Sequence, residues 1–235
     1  MKLKKRIFDG ILMLLVATMI IVTAVTREQS FLKTLPTLVT LIVQLLLASA
    51  NRYAFLLGGI NATVYGLAYV SEGLYFSAAS AFLVSAPLQI LSFFQWGRHA
   101  ANGHTELLTL RWRGRILWLL GICVSFVGCL YVLLPFLEGA RYPTLDALVF
   151  VFGIAVSILS ALRIVEAQYI SAVSTLLQIA MWLIIVRDEP ENLNYLVISF
   201  YNHYRVVQAA VRWTREYRAS KIAGEDRSAD LTDSA

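Results

Sequence analysis

The amino-acid sequence predicts an all-α membrane protein of about eight transmembrane helices, and three observations carry that reading. Of the 235 residues, 58% are hydrophobic and 15% are charged, whereas a soluble domain carries about 25% charge and 45–50% apolar residues. The apolar residues gather into runs of about 20, the length that crosses a bilayer core as a helix. Lys and Arg concentrate in alternate connections, as they do where basic loops face the cytoplasm. A cytosolic enzyme is excluded on composition, and the spans leave no room for a separate soluble catalytic domain. The net charge of +5 follows from the basic loops and calls for no nucleic-acid partner.

The spans fall at 7–25, 35–50, 53–70, 74–96, 116–137, 145–162, 167–186 and 193–213. The first follows Lys2, Lys4, Lys5 and Arg6 and is too long for the core of a signal peptide, so segment 1–34 reads as a basic stretch with an anchoring helix. Spans two to four form a block, 35–96, with tight connections and Trp96 at its end. The stretch 97–114, with Arg98, His99, His104, Arg111 and Arg113, is the polar internal linker, and span five completes segment 97–144. Both cysteines, Cys123 and Cys129, lie in span five and read as packing residues. Spans six to eight form a second block, 145–213, again ending in Trp followed by basic residues. Segment 214–235 has almost nothing to bury and is expected to be a disordered tail.

Alternate loops test this count. One side collects Lys2, Lys4, Lys5, Arg6, Arg52, Arg98, Arg111, Arg113, Arg115, Arg163, Arg212, Arg215, Arg218, Lys221 and Arg227, while the other holds Arg27, Lys33, Arg141 and Arg187. Both termini are therefore expected in the cytoplasm.

The two three-span blocks match at one constant offset: Asn61 falls on Gln178, Tyr65 on Trp182, Glu72 on Glu189 and Trp96 on Trp213. An even number of spans separates the copies, so they run the same way through the bilayer. The pattern is two parallel three-helix repeats with span five as the inverting linker, a 3+1+3 plan plus one N-terminal helix. Such folds hold their substrate between the bundles near the midplane.

Polar groups within spans are costly, so a stripe at helical spacing faces a partner helix or a wet path. Span seven carries Gln168, Ser171, Thr175, Gln178 and Trp182 on one face. Span four carries Ser85, Gln89, Ser92 and Trp96, with Pro87 freeing a carbonyl one turn earlier. Span three adds Asn61, Tyr65 and Tyr69, and span eight adds Tyr201, Asn202, Arg205 and Gln208. These stripes either zip helices together or offer amides and rings to a polar aromatic solute. Tyr69 and Trp96 read as interfacial anchors, Arg205 as a snorkelling side chain, and Glu166 as the ion-pair partner of Arg163.

The chain has no phosphate-cradling G-x-x-x-x-G-K-[ST] loop and no acid deep in a span, so passive facilitation fits better than ATP-driven or proton-coupled transport. The histidines lack ligand partners at metal spacing, and no acid–base or nucleophile constellation is visible, so neither a cofactor nor an enzymatic activity is expected.

The runs Gly58-Gly-Ile-Asn-Ala-Thr-Val-Tyr65, Gly73-Leu-Tyr75 and Pro87-Leu-Gln89-Ile-Leu-Ser-Phe93-Phe-Gln-Trp96 resemble the PnuC family of nicotinamide riboside transporters. Leu162-Arg163, Glu166, Trp182, Asn202 and Trp213 are similar to that family's second repeat. The resemblance covers 35–213. It implies a facilitator of the bacterial inner membrane, a fold analogous to the sugar-transporting SWEET proteins, a homotrimer, and uptake driven by a cytosolic kinase that phosphorylates the riboside. It further implies that aromatic groups stack on the pyridine ring and that Asn and Gln from both repeats hold the ribose. Carried over, Gln89, Asn202 and Trp182 match best, followed by Asn61 and Tyr65; Gln178 joins them from the polar stripe. One departure stands out: where relatives show Trp-x-x-Trp-x-x-x-Asn/Asp in span seven, this chain has Gln168, Ser171 and Thr175. Thiamine, riboflavin and deoxynucleosides therefore stay open as alternative cargoes, and a non-transporting scaffold as an alternative of another class.

Overall fold

In hydrocarbon every backbone N–H and C=O must be satisfied within its own segment, so long apolar runs fold as helices. The computed structural model describes residues 2–49, 51–98, 100–101, 104–105, 107–133, 135 and 142–233. Its helices are α1 (Lys2–Thr26), α2 (Phe31–Ala48), α3 (Tyr53–Ser71), α4 (Tyr75–Ala79), α5 (Ala86–Arg98), α6 (Trp112–Gly128), α7 (Pro143–Ala161), α8 (Glu166–Asp188) and α9 (Leu193–Asp233). A π-helical stretch, Ser80–Ser85, joins α4 to α5 into one span. It ends just before Pro87, whose missing N–H and bulky ring spoil the preceding α turn. The break that Pro87 introduces is thus spread over a widened turn.

Seven helices among the described residues are long and apolar enough to cross a membrane. The eighth expected span lies in α9, where Asn194, Asn202, His203, Arg205 and Gln208 dilute the apolar stretch, so composition alone does not mark it. The backbone of α9 continues as helix to Asp233, where composition alone predicts a disordered tail. Ala, Arg, Glu and Lys favour helix, and extending a helix already nucleated by packing costs little. His99, Arg141 and part of the end of the fifth span lie outside the described residues.

The helices form a closed ring: α2 packs on α3, α3 on α5, α5 on α7, α7 on α8, α8 on α9, and α9 returns to α2. The leading helix of each repeat thus meets the closing helix of the other, which is pseudo-twofold. Helix α1 lies outside the ring against α9 and α2, and α6 lies outside against α7. A short hairpin pairs Ala100–Ala101 with His104–Thr105. Beyond it, Leu108 exchanges backbone hydrogen bonds with the α7–α8 turn, its N–H donating to Arg163 O and its carbonyl accepting from Val165 N, both at 2.9 Å. The linker is thereby stitched to the end of the bundle that carries most of the arginines, called here the basic end.

Turn geometry fixes the opposite end. After α3, Leu74 N–H reaches Tyr69 O at 3.0 Å and Gly73 N–H reaches Val70 O at 3.2 Å, with Gly73 at φ 70°. That hydrogen-bond pair needs a left-handed residue, which glycine supplies without strain.

Candidate substrate-binding cavity

The ring encloses a cavity of about 290 Å³ that runs along α3 from Ala54 to Tyr69. Residue types on its wall follow from the stripes read in the sequence. On the first repeat, Asn61, Tyr65 and Tyr69 project from α3, and Gln89 from α5. Gly58 makes room for Gln89, since a Cβ at residue 58 would overlap Gln89 Oε1. Among the described residues Gln89 finds no protein hydrogen-bond partner, which leaves its amide free for a ligand.

Asn61 is placed differently. Its Nδ2 donates to Pro36 O at 3.0 Å and to Thr40 Oγ1 at 2.9 Å, so both N–H groups are spent on α2. Only its carbonyl oxygen remains as an acceptor. The Tyr65 hydroxyl lies 3.2 Å from Thr40 Oγ1, and the Tyr65 ring stacks on Tyr69 with centroids 5.5 Å apart and planes at 22°. Two phenol rings thus present a stacked aromatic wall.

On the second repeat, Ser171, Ser174, Thr175 and Gln178 face the cavity from α8, and Asn202 from α9. Gln178 has no protein hydrogen-bond partner among the described residues. Asn202 Oδ1 is buried without a partner, a costly state for an amide oxygen unless a ligand completes it. Thr175 Oγ1 donates to Ala172 O at 3.0 Å and lies 2.9 Å from His203 Nδ1.

Different groups pack at the two ends. At the opposite end, Trp182 stacks on Tyr195 at 4.4 Å and 18°, and Tyr195 tilts against Tyr65 at 6.3 Å. Above these rings Lys33 pairs with Glu72, while Asn192 Nδ2 donates to Glu72 Oε2 at 3.0 Å and to Glu189 Oε2 at 3.1 Å. Asp146, fully buried, accepts from Phe76 N at 3.0 Å, from Ser77 N at 3.1 Å and from the Ser77 hydroxyl, tying α7 to the start of α4. At the basic end, Trp96 and Trp213 are fully buried with centroids 5.3 Å apart, Phe55 packs on Trp96 at 4.7 Å, and Trp96 Nε1 donates to Ser160 O at 3.1 Å.

Of the residues expected to bind substrate, Asn61, Tyr65, Gln89, Gln178 and Asn202 line one cavity. Trp182 does not; its ring is covered by Tyr195, and Tyr69 occupies the wall position beside Tyr65. Tyr69 and Trp96 are therefore not interfacial anchors but an inward-facing ring and a core residue. Gln168 is buried off the cavity wall, with Oε1 unpartnered. Glu166 pairs with Arg115 at 2.7 Å, not Arg163, and also accepts from Leu110 N at 3.2 Å. Arg205 does not snorkel: it is buried, with Nη1 3.1 Å from Asp9 of α1. Gln44, which also lines the cavity, was missed, although its four-residue spacing from Thr40 in span two was a readable signal.

The family model described as nicotinamide mononucleotide transporter matches residues 30–215. The chain belongs to that family. The nicotinamide mononucleotide transporter family match spans both repeats and the linker. A relative described as the nicotinamide riboside transporter PnuC of Neisseria mucosa is 24% identical over 218 residues, covering 88% of this chain and 81% of its own. A solved structure titled as the crystal structure of the vitamin B3 transporter PnuC superposes with a TM-score of 0.77 at 21% identity, covering 90% of this chain and 92% of the other. Family and fold are those of a multi-pass membrane transporter, not an enzyme.

Proposed function

We propose that the protein mediates facilitated uptake of nicotinamide riboside, held in the cavity between the two repeats. The observation that carries this reading is the set of unpartnered amides converging on one cavity: Gln89 from the first repeat, Gln178 and the orphaned Asn202 Oδ1 from the second. Its volume is near the lower end for ligand pockets, about 300 Å³, which suits a small ribosylated ring. The stacked pair Tyr65 and Tyr69 takes the pyridinium, where a cation–π contact is worth about 0.5–2 kcal/mol. Gln178 and Asn202 hold the ribose hydroxyls, with Asn61 offering its remaining carbonyl. Trp182 acts one layer back, fixing Tyr195 and through it Tyr65.

The basic end faces the cytoplasm of a bacterial cell, with the N-terminus and the end of α9 on that side of the inner membrane. Retention inside is supplied by a cytosolic kinase that phosphorylates the riboside, and the working unit is a homotrimer; both follow from the family resemblance. Uptake of labelled nicotinamide riboside into proteoliposomes tests the reading, with thiamine and deoxynucleosides as unlabelled competitors. Saturable uptake blocked by nicotinamide riboside alone is expected. Stronger block by thiamine or a deoxynucleoside reassigns the cargo, and no flux of any of them favours a scaffold.

A further inference from the structure

A second cavity, of about 520 Å³, lies outside the ring at the basic end, between α6, α8 and α9. On α8 it takes Glu166, Tyr169 and Ile170, and its lining shares no residue with that of the transport cavity. Its head region holds Arg115 and Arg218 with Glu166. Glu166 is bound to Arg115 at 2.7 Å, whereas Arg218 is exposed and has no ion-pair partner among the described residues. The site therefore carries one net positive charge. Tyr169 OH, 2.8 Å from Thr214 Oγ1, joins α8 to α9 along one wall.

Toward the middle of the bundle the cavity becomes apolar. Trp118, Leu119 and Ile170 form its floor, and the exposed side chains that continue it along α8 are Val173 and Leu176. From Arg115 to Leu119 the lining falls by about 6 Å along α6 at 1.5 Å per residue, the depth over which a lipid passes from headgroup to acyl chain. One cationic end with an apolar floor open to the hydrocarbon matches one phosphodiester with attached chains.

We propose that this groove binds an anionic phospholipid of the leaflet at the basic end, its phosphodiester between Arg218 and Arg115 and its chains over Trp118, Leu119 and Ile170. The lipid bridges the linker helix α6 to α8 and α9, and so holds the linker on the second repeat. This assignment does not depend on the identity of the transported solute.

Native mass spectrometry of the purified full chain with phosphatidylglycerol or phosphatidylcholine tests it, alongside thermal unfolding in the same lipids. The wild type is expected to retain phosphatidylglycerol at least fivefold better than phosphatidylcholine and to melt higher with it. Arg218→Glu is expected to abolish the preference while unfolding at the wild-type temperature in detergent, and Arg218→Lys to keep most of it. Arg215→Glu, on the same helix but off the groove, is expected to change neither quantity. Equal retention of both lipids, equal loss in Arg215→Glu, or a preference that survives Arg218→Glu would overturn the proposal. Protection by soluble glycerol 3-phosphate equal to that by phosphatidylglycerol would also overturn it, in favour of a free-phosphate site. So would cross-linking of two copies through Arg218→Cys, which would show that a second chain covers the groove.

Discussion

The two repeats agree at their ends and part company in the middle. Glu72 and Glu189, equivalent by the repeat, meet at the same Asn192 amide, and Trp96 and Trp213, also equivalent, pack on each other. Between those levels the equivalent residues do different things. Asn61 spends its N–H groups on α2, whereas Gln178 stays free on the cavity wall. Tyr65 faces the cavity, whereas Trp182 is buried behind Tyr195. Tying the ends of the bundle together is a symmetric task, and equivalent residues do it together. Holding the proposed riboside, with a ring at one end and a sugar at the other, would be an asymmetric task, and the repeats differ at the level of the cavity.

The sharpest way to break the symmetric part is Trp213→Ala, which empties a fully buried indole site and is expected to cost about 3–5 kcal/mol of stability; thermal unfolding in detergent checks this. Asn61→Ala is expected to cost about 1–3 kcal/mol, because it strips a donor from the buried Thr40 and Pro36 oxygens. Its effect should appear first in the melting temperature. Tyr65→Leu removes the cation–π face while keeping apolar bulk, and a riboside titration should show binding weaker by about 0.5–2 kcal/mol. Asn202→Ala is expected to weaken binding by about 0.5–1.5 kcal/mol and leave stability nearly unchanged, since its Oδ1 has no protein partner to lose. Gly58→Ala displaces the Gln89 side chain; a small loss of affinity with an unchanged melting temperature is expected.

Hydropathy and loop charge made the spans legible, because bilayer thickness and backbone satisfaction leave few alternatives for 20 apolar residues. The constant offset likewise exposed the repeat through four residue pairs. What stayed hidden depends on which neighbour covers a face. Trp182 continues the stripe of Gln178, but period alone cannot show that Tyr195, thirteen residues further on in α9, lies over it. Glu166 sits near Arg163 in sequence, yet its partner Arg115 comes from the linker helix across 51 positions. Asp146 looked like the start of a span; its burial comes from capping α4 in the other repeat. The π stretch at Ser80–Ser85 was heralded by Pro87, but a kink and a widened turn leave the same trace in sequence.

The central claim is that the free amides of the second repeat hold the solute in the cavity. Calorimetric titration of nicotinamide riboside into the wild type and the double variant Gln178→Ala with Asn202→Ala tests it most directly, with melting temperature as the control for folding. The account predicts saturable binding by the wild type and at least tenfold weaker binding by the double variant at an unchanged melting temperature. Equal affinity in the two proteins would contradict it.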